Sequence, residues 1–184
     1  PNGLSYLVYK RLPCCADLLY LISCRILKEE RVPLSYQVAI ITLIPKDSTN
    51  LKEVSLFRPI ACSNVESKLL WAFVNSRLAS FLLKNKYIKY LIQKGFLPHV
   101  AGCLEHSTTL AQALSDARRN QRNIVIAWLD MANAFGSVRH NLILFALSWF
   151  HVPHWCINMI FQYYSSLSAK VVTSKWATSF FPFE

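Results

Sequence analysis

Ile124-Val125-Ile126-Ala127-Trp128-Leu129-Asp130 is the stretch on which the reading of this chain turns. Six apolar residues, three of them β-branched, run without interruption into a carboxylate. A short continuous apolar run predicts a strand buried on both faces. Asp130 then ends a buried strand, where a charge is costly unless something compensates it. Two compensations are open. One is a helix cap or a structural ion pair. The other is a hard cation such as Mg²⁺, which takes one or two carboxylates together with substrate phosphates. A strand end would hold such a carboxylate rigidly, as positional chemistry requires.

Working outward, a helix is predicted over 107–120, after a loop containing Gly95, Pro98 and Gly102. Before it, Ser63-Asn64-Val65-Glu66 reads as a capping box opening a long helix with its apolar residues on one face. Phe57-Arg58-Pro59-Ile60 is extended, because Pro59 biases Arg58 away from helical geometry. Gln37 to Ile44 is a β-branched strand that stops in the turn signal Pro45-Lys46-Asp47-Ser48. Residues 14–29 form an apolar helix, stopped by Pro33. Downstream, helices are predicted over 140–150 and 153–166, then a strand from Ser168 to Thr178. The order α, β, β, α, α, β, α, α, β is an α+β pattern, helix-rich with a small, mostly antiparallel sheet.

With 184 residues, 53% of them hydrophobic, the chain has ample material for a core, and its composition excludes a disordered chain. The net charge of +10 suits a polyanion, either nucleic acid or an anionic membrane surface. Six cysteines show no C-x-x-C pair and no zinc spacing. They are expected to be reduced, mostly buried thiols of an intracellular protein with no disulfide partner, nucleus or cytoplasm being left open. The apolar segment 141–161 contains Pro153, two histidines and Asn158, which favours two buried helices over a membrane span. The chain opens Pro1-Asn2-Gly3 without Met, which predicts a piece of a longer protein.

Leu129-Asp130 to Val138 resembles the first palm motif of the reverse transcriptases of non-LTR (LINE-like) retrotransposons, Leu-Asp-x-x-x-Ala-Phe-Asp-x-Val. Leu43-Ile44-Pro45-Lys46, Phe57-Arg58-Pro59-Ile60, Lys68-Leu69-Leu70, Arg77-Leu78 and Gln93-Lys94-Gly95-Phe96 fall in the family's order, and Pro1-Asn2-Gly3-Leu4 looks like the tail of Gly-Pro-Asp-Gly-Ile. The resemblance therefore covers essentially the whole chain. It implies the fingers and part of the palm of a right-hand polymerase, residues 1–122 and 123–184 of one domain. It implies that Asp130 is the first Mg²⁺ ligand and that the Met131 carbonyl is a second contact to that ion. Phe135 would be the aromatic gate that excludes a ribose 2′-OH. Lys46 and Arg58 would hold the incoming triphosphate, and Gln93 and Gly95 would lie against the template. The implied partners are an RNA template, a DNA primer and a dNTP.

Residue type alone leaves blander readings open. Lys46 in a polar turn reads as solvated, Arg58 as a partner of a structural carboxylate, Phe135 as plain core, and Gln93 and Gly95 as turn formers. Two positions depart from the family: Gly136 stands where it has Asp, and Asn133 where it often has Lys. The Tyr-x-Asp-Asp turn that supplies the remaining carboxylates is missing, since no Asp-Asp pair occurs in these 184 residues. Both ions of a two-metal site need ligands. The expectation is a polymerase fragment that does not polymerise alone, or else a nucleic-acid-binding remnant of a retroelement without chemistry.

Overall fold

The computed structural model describes residues 2–46, 53–95, 97, 100, 102–131, 134 and 136–182. Among these residues six α-helices and four strands follow one another as α1 (Tyr6–Arg11), α2 (Pro13–Glu29), β1 (Val38–Pro45), β2 (Phe57–Ser63), α3 (Val65–Lys84), α4 (Leu104–Arg119), α5 (His140–Trp149), α6 (His154–Ser165), β3 (Ser168–Val171) and β4 (Phe181–Pro182). They fall into two compact units, one of Pro1–Val74 with Arg139–Glu184, the other of Asn75–Val138.

The sheet of the first unit runs β2-β1-β3-β4. β1 pairs antiparallel with β2 and parallel with β3, and β3 pairs antiparallel with β4. Pro59 is tolerated because β2 is an edge strand, where a missing N–H costs no central ladder bond. The period of two sends Ala39, Ile41 and Leu43 inward with Ala169 and Val171.

A second cluster, Ile26, Val32, Tyr36, Leu70 and Met159, joins α2, α3 and α6 to the segment before β1. Polar side chains pin that segment. Ser67 Oγ donates to the Tyr36 carbonyl at 2.9 Å, and Asn64 Nδ2 to the Ser35 carbonyl at 2.7 Å. From α6, Gln162 Nε2 donates to the Glu30 carbonyl at 2.8 Å, while the Val32 N–H donates to Gln162 Oε1 at 3.3 Å.

Four helices end on a left-handed residue that is not glycine: Glu30 (φ 51°), Lys86 (φ 60°), Gln121 (φ 51°) and His151 (φ 53°). In each case the next N–H closes back on the last turn, as in Tyr87 to Leu82 at 3.0 Å and Arg122 to Ala117 at 2.9 Å. A side chain in this conformation is strained by about 1 kcal/mol relative to glycine. Lys86→Gly and Gln121→Gly are therefore each expected to stabilise the protein by about 0.5–1 kcal/mol. Urea midpoints check this, and a fall in midpoint would contradict the caps.

Several expectations are corrected. Residues 124–130 form no strand and are exposed, Val125 by 93% and Leu129 by 97%. An apolar run is buried only where neighbours cover both faces, and among the described residues no strand pairs with this one. The expected strand over 168–178 ends at Val171 and folds back, with Val172 bridging Ala177 and the Thr173 N–H closing the turn on the Trp176 carbonyl at 2.9 Å. The Ser63–Glu66 capping box gives way to another arrangement. Ser63 belongs to β2, and Glu66 accepts from Tyr9 Oη at 2.6 Å and Asn2 Nδ2 at 2.9 Å. Of the six cysteines only Cys156 is buried, because Cys14, Cys24 and Cys103 lie on outward faces of the chain. Among the described residues no helix is long and apolar enough to cross a membrane.

Candidate nucleic-acid interface

The β1–β2 hairpin arises from a β-branched run, Val38-Ala39-Ile40-Ile41-Thr42, that returns through Phe57–Ser63. Ile44 stands opposite Arg58 in its register. The pairing continues one residue further, with the Lys46 N–H donating to the Leu56 carbonyl at 2.7 Å. Opposed residues share a face, as do residues two apart on one strand. Ile44, Lys46, Leu56 and Arg58 therefore share the face turned away from Ala39 and Ile41. The two cations are diagonal neighbours, with Cβ atoms somewhat closer than about 7–8 Å.

Both side chains are exposed. Lys46 Nζ donates to the Ser55 carbonyl at 2.9 Å, which orients the ammonium and leaves two of its three donors for a ligand. Among the described residues no carboxylate pairs with Arg58. Its planar fork of donors is suited to phosphate oxygens. A lysine and an arginine on one face of a hairpin are an arrangement whose donors suit phosphate oxygens.

Asp130 and Met131 lie on the exposed, strandless stretch, Met131 being 68% exposed. Phe135 lies outside the described residues. Among the described residues no group of three or more His, Cys, Asp or Glu side chains stands close enough to hold a metal ion.

Gln93 and Gly95 line an apolar groove of about 490 Å³ in the second unit, with Leu78, Leu82, Tyr87, Ile88 and Ile92. Gln93 Nε2 donates to the Gly95 carbonyl at 3.1 Å, so its amide braces the turn. Lys94 between them is 6% exposed, ion-paired with Glu105 and set 5.8 Å from the centroid of the Tyr90 ring. Sequence reasoning missed this anchor, as it missed the Glu66–Tyr9 contact. Neither partner spacing has a local signature.

Electrostatics follow from these pairs. The Lys94 ammonium, by hydrogen bond and charge, holds the Glu105 carboxyl below its ordinary value. Burial pushes Glu66 up, but hydrogen bonds from Tyr9 and Asn2 outweigh it and leave the carboxyl lowered. Burial and the Glu66 contact push Tyr9 up to about 12. A lowered carboxyl contributes stability above its unfolded pKa of about 4.3 and loses it as pH falls through the folded value. A raised tyrosine contributes below about pH 10 and loses that stability as pH rises toward its folded value. Melting temperature is thus expected to fall below about pH 4.5, with Glu105→Gln flattening the acid limb. An unchanged limb in that variant would contradict the pairing.

No protein-family model matches the chain. Two curated proteins are similar to it. The Retrovirus-related Pol polyprotein from type-2 retrotransposable element R2DM of Drosophila melanogaster is 28% identical over 150 residues, which is 82% of this chain and 14% of that protein. The Retrovirus-related Pol polyprotein from type-1 retrotransposable element R2 of Nasonia vitripennis is 23% identical over 176 residues, 95% of this chain and 16% of that protein. The chain thus spans about one seventh of the length of the curated relatives it matches. By this similarity to retrotransposon Pol polyproteins, the chain is retroelement-related.

Proposed function

We propose that residues 1–122 form the fingers and residues 123–184 the start of the palm of an RNA-directed DNA polymerase of the non-LTR retrotransposon type. One observation carries this reading: the register that sets Lys46 and Arg58 side by side on the outward face of a hairpin. In it these two side chains hold the triphosphate of an incoming dNTP. Asp130 and the Met131 carbonyl would hold a Mg²⁺ ion, Phe135 would exclude the 2′-OH, and Gln93 and Gly95 would meet an RNA template paired to a DNA primer. Mg²⁺, when bound, would supply charge stabilisation to the transferring phosphoryl group. In the intact protein the site is intracellular.

A second reading, a nucleic-acid-binding module without chemistry, is favoured by the exposed, strandless setting of Asp130. One experiment addresses both. The purified chain is given a primer–template, Mg²⁺ and dNTPs. Affinity is expected to fall steeply with salt, by counterion release. Incorporation is expected to stay at the level of an Asp130→Ala control. Incorporation above that control would show that the chain polymerises alone. Absence of salt-dependent binding would end both readings.

A further inference from the structure

The register carries the outward face of the sheet beyond the hairpin. Ile40 stands beside Cys62 on one side and Lys170 on the other. Lys170 Nζ lies 5.1 Å from the centroid of the Phe180 ring, in the chain segment that enters β4. The next row holds Ile60 and Thr42, and the one after it Arg58 and Ile44. Lys46 ends the face. Six residues of strand separate the level of Lys170 from that of Lys46, about 20 Å. No acidic residue occurs in any of the four strands. Phe180 is 53% exposed, with a cation at its ring.

From this juxtaposition we propose that the outward sheet face is a single-stranded polynucleotide track, with Lys170 and Phe180 forming a stacking platform at the end opposite Lys46 and Arg58. The proposal rests on the polymerase reading and extends it to two residues that lie in none of the motifs named above. The chemistry is that of sequence-tolerant strand binding. Cations follow the phosphates, and an aromatic ring beside a cation offers its surface to any base. A face with a cation at each end, about 20 Å apart, suits an extended strand of about four nucleotides. The face also exposes Ile44 and Ile60, so an anionic bilayer is the rival occupant. The cation held at the Phe180 ring favours a base-stacking ligand over an inserting one, and the vesicle arm of the test separates the two.

The test uses the full chain and a fluorescein-labelled 12-nucleotide oligouridylate. Phe180→Ala is expected to weaken binding roughly five- to tenfold, with Phe180→Tyr restoring most of it. Lys170→Ala is expected to lower the salt slope by about one. Lys28→Ala, on exposed α2, controls for the mere loss of a charge. If Phe180→Ala and Lys170→Ala match that control while removing Lys46 and Arg58 weakens binding, the platform is overturned and the polymerase reading stands. If the wild-type chain binds no RNA, both fail. If it binds vesicles containing phosphatidylserine in preference to RNA, the track is overturned in favour of a membrane surface. Should the variants fail to fold, 4-thiouridine crosslinking of the wild-type chain decides: crosslinks in 176–184 support the platform, and crosslinks confined elsewhere overturn it.

Discussion

Replacing both Lys46 and Arg58 by alanine is expected to weaken primer–template or dNTP binding by at least tenfold while leaving the fold intact. Hydrogen bonds to charged groups are worth about 1.5–3 kcal/mol each, and a factor of ten needs about 1.4 kcal/mol. Both side chains are exposed, so their removal opens no cavity. The salt dependence should shrink as well, by roughly one unit of slope per lost phosphate contact. Arg58→Lys should restore only part of the affinity, because a point charge replaces a planar fork. Equal affinities for the double variant and the wild type, with unchanged salt slopes, would remove the hairpin from the site.

The largest expected effect on stability comes from Met159→Ala. Met159 is 0% exposed and packs with Ile26, Tyr36 and Leu70, where α2, α3 and α6 meet. Truncating a buried methionine costs about 2–5 kcal/mol, the spread depending on how far the site collapses. Against a total of about 5–15 kcal/mol, that shifts a denaturation midpoint well outside error. Met159→Leu, nearly equal in volume, should cost less than about 1.5 kcal/mol. If the two substitutions proved equally mild, Met159 would not sit in a packed core.

Much of this fold is written locally. Pro13 at the first turn of α2, the β-branched run of β1 with its Pro-Lys turn, and Pro153 between α5 and α6 each act through neighbouring backbone, and these elements lie close to where patterning puts them. What escaped depends on distant partners. The parallel pairing of Val38 with Ser168 joins segments far apart in sequence. Glu66 looks like a capping residue by spacing, but it answers to Tyr9 on another helix. Residues 124–129 have the composition of a buried strand, yet burial needs covering neighbours. The left-handed caps at Lys86 and Gln121 escaped because glycine, their usual marker, is absent there.

The candidate site divides in the same way. Lys46 and Arg58 were each legible as basic residues in extended, turn-flanked segments. Their shared face followed only from the antiparallel register, in which Ile44 meets Arg58. Lys170 was lost in an alternating strand, because the Phe180 ring that gives it a role is set by a second turn of the chain.

The claim that the outward face of the β1–β2 hairpin holds a polyanion is tested most directly by hydrogen–deuterium exchange of the full chain with and without a primer–template. Slower exchange at Ile44–Lys46 and Leu56–Arg58, fading as salt rises, is the result this account requires. Protection confined to α5 or α1, or none in the hairpin at saturating ligand, would contradict it.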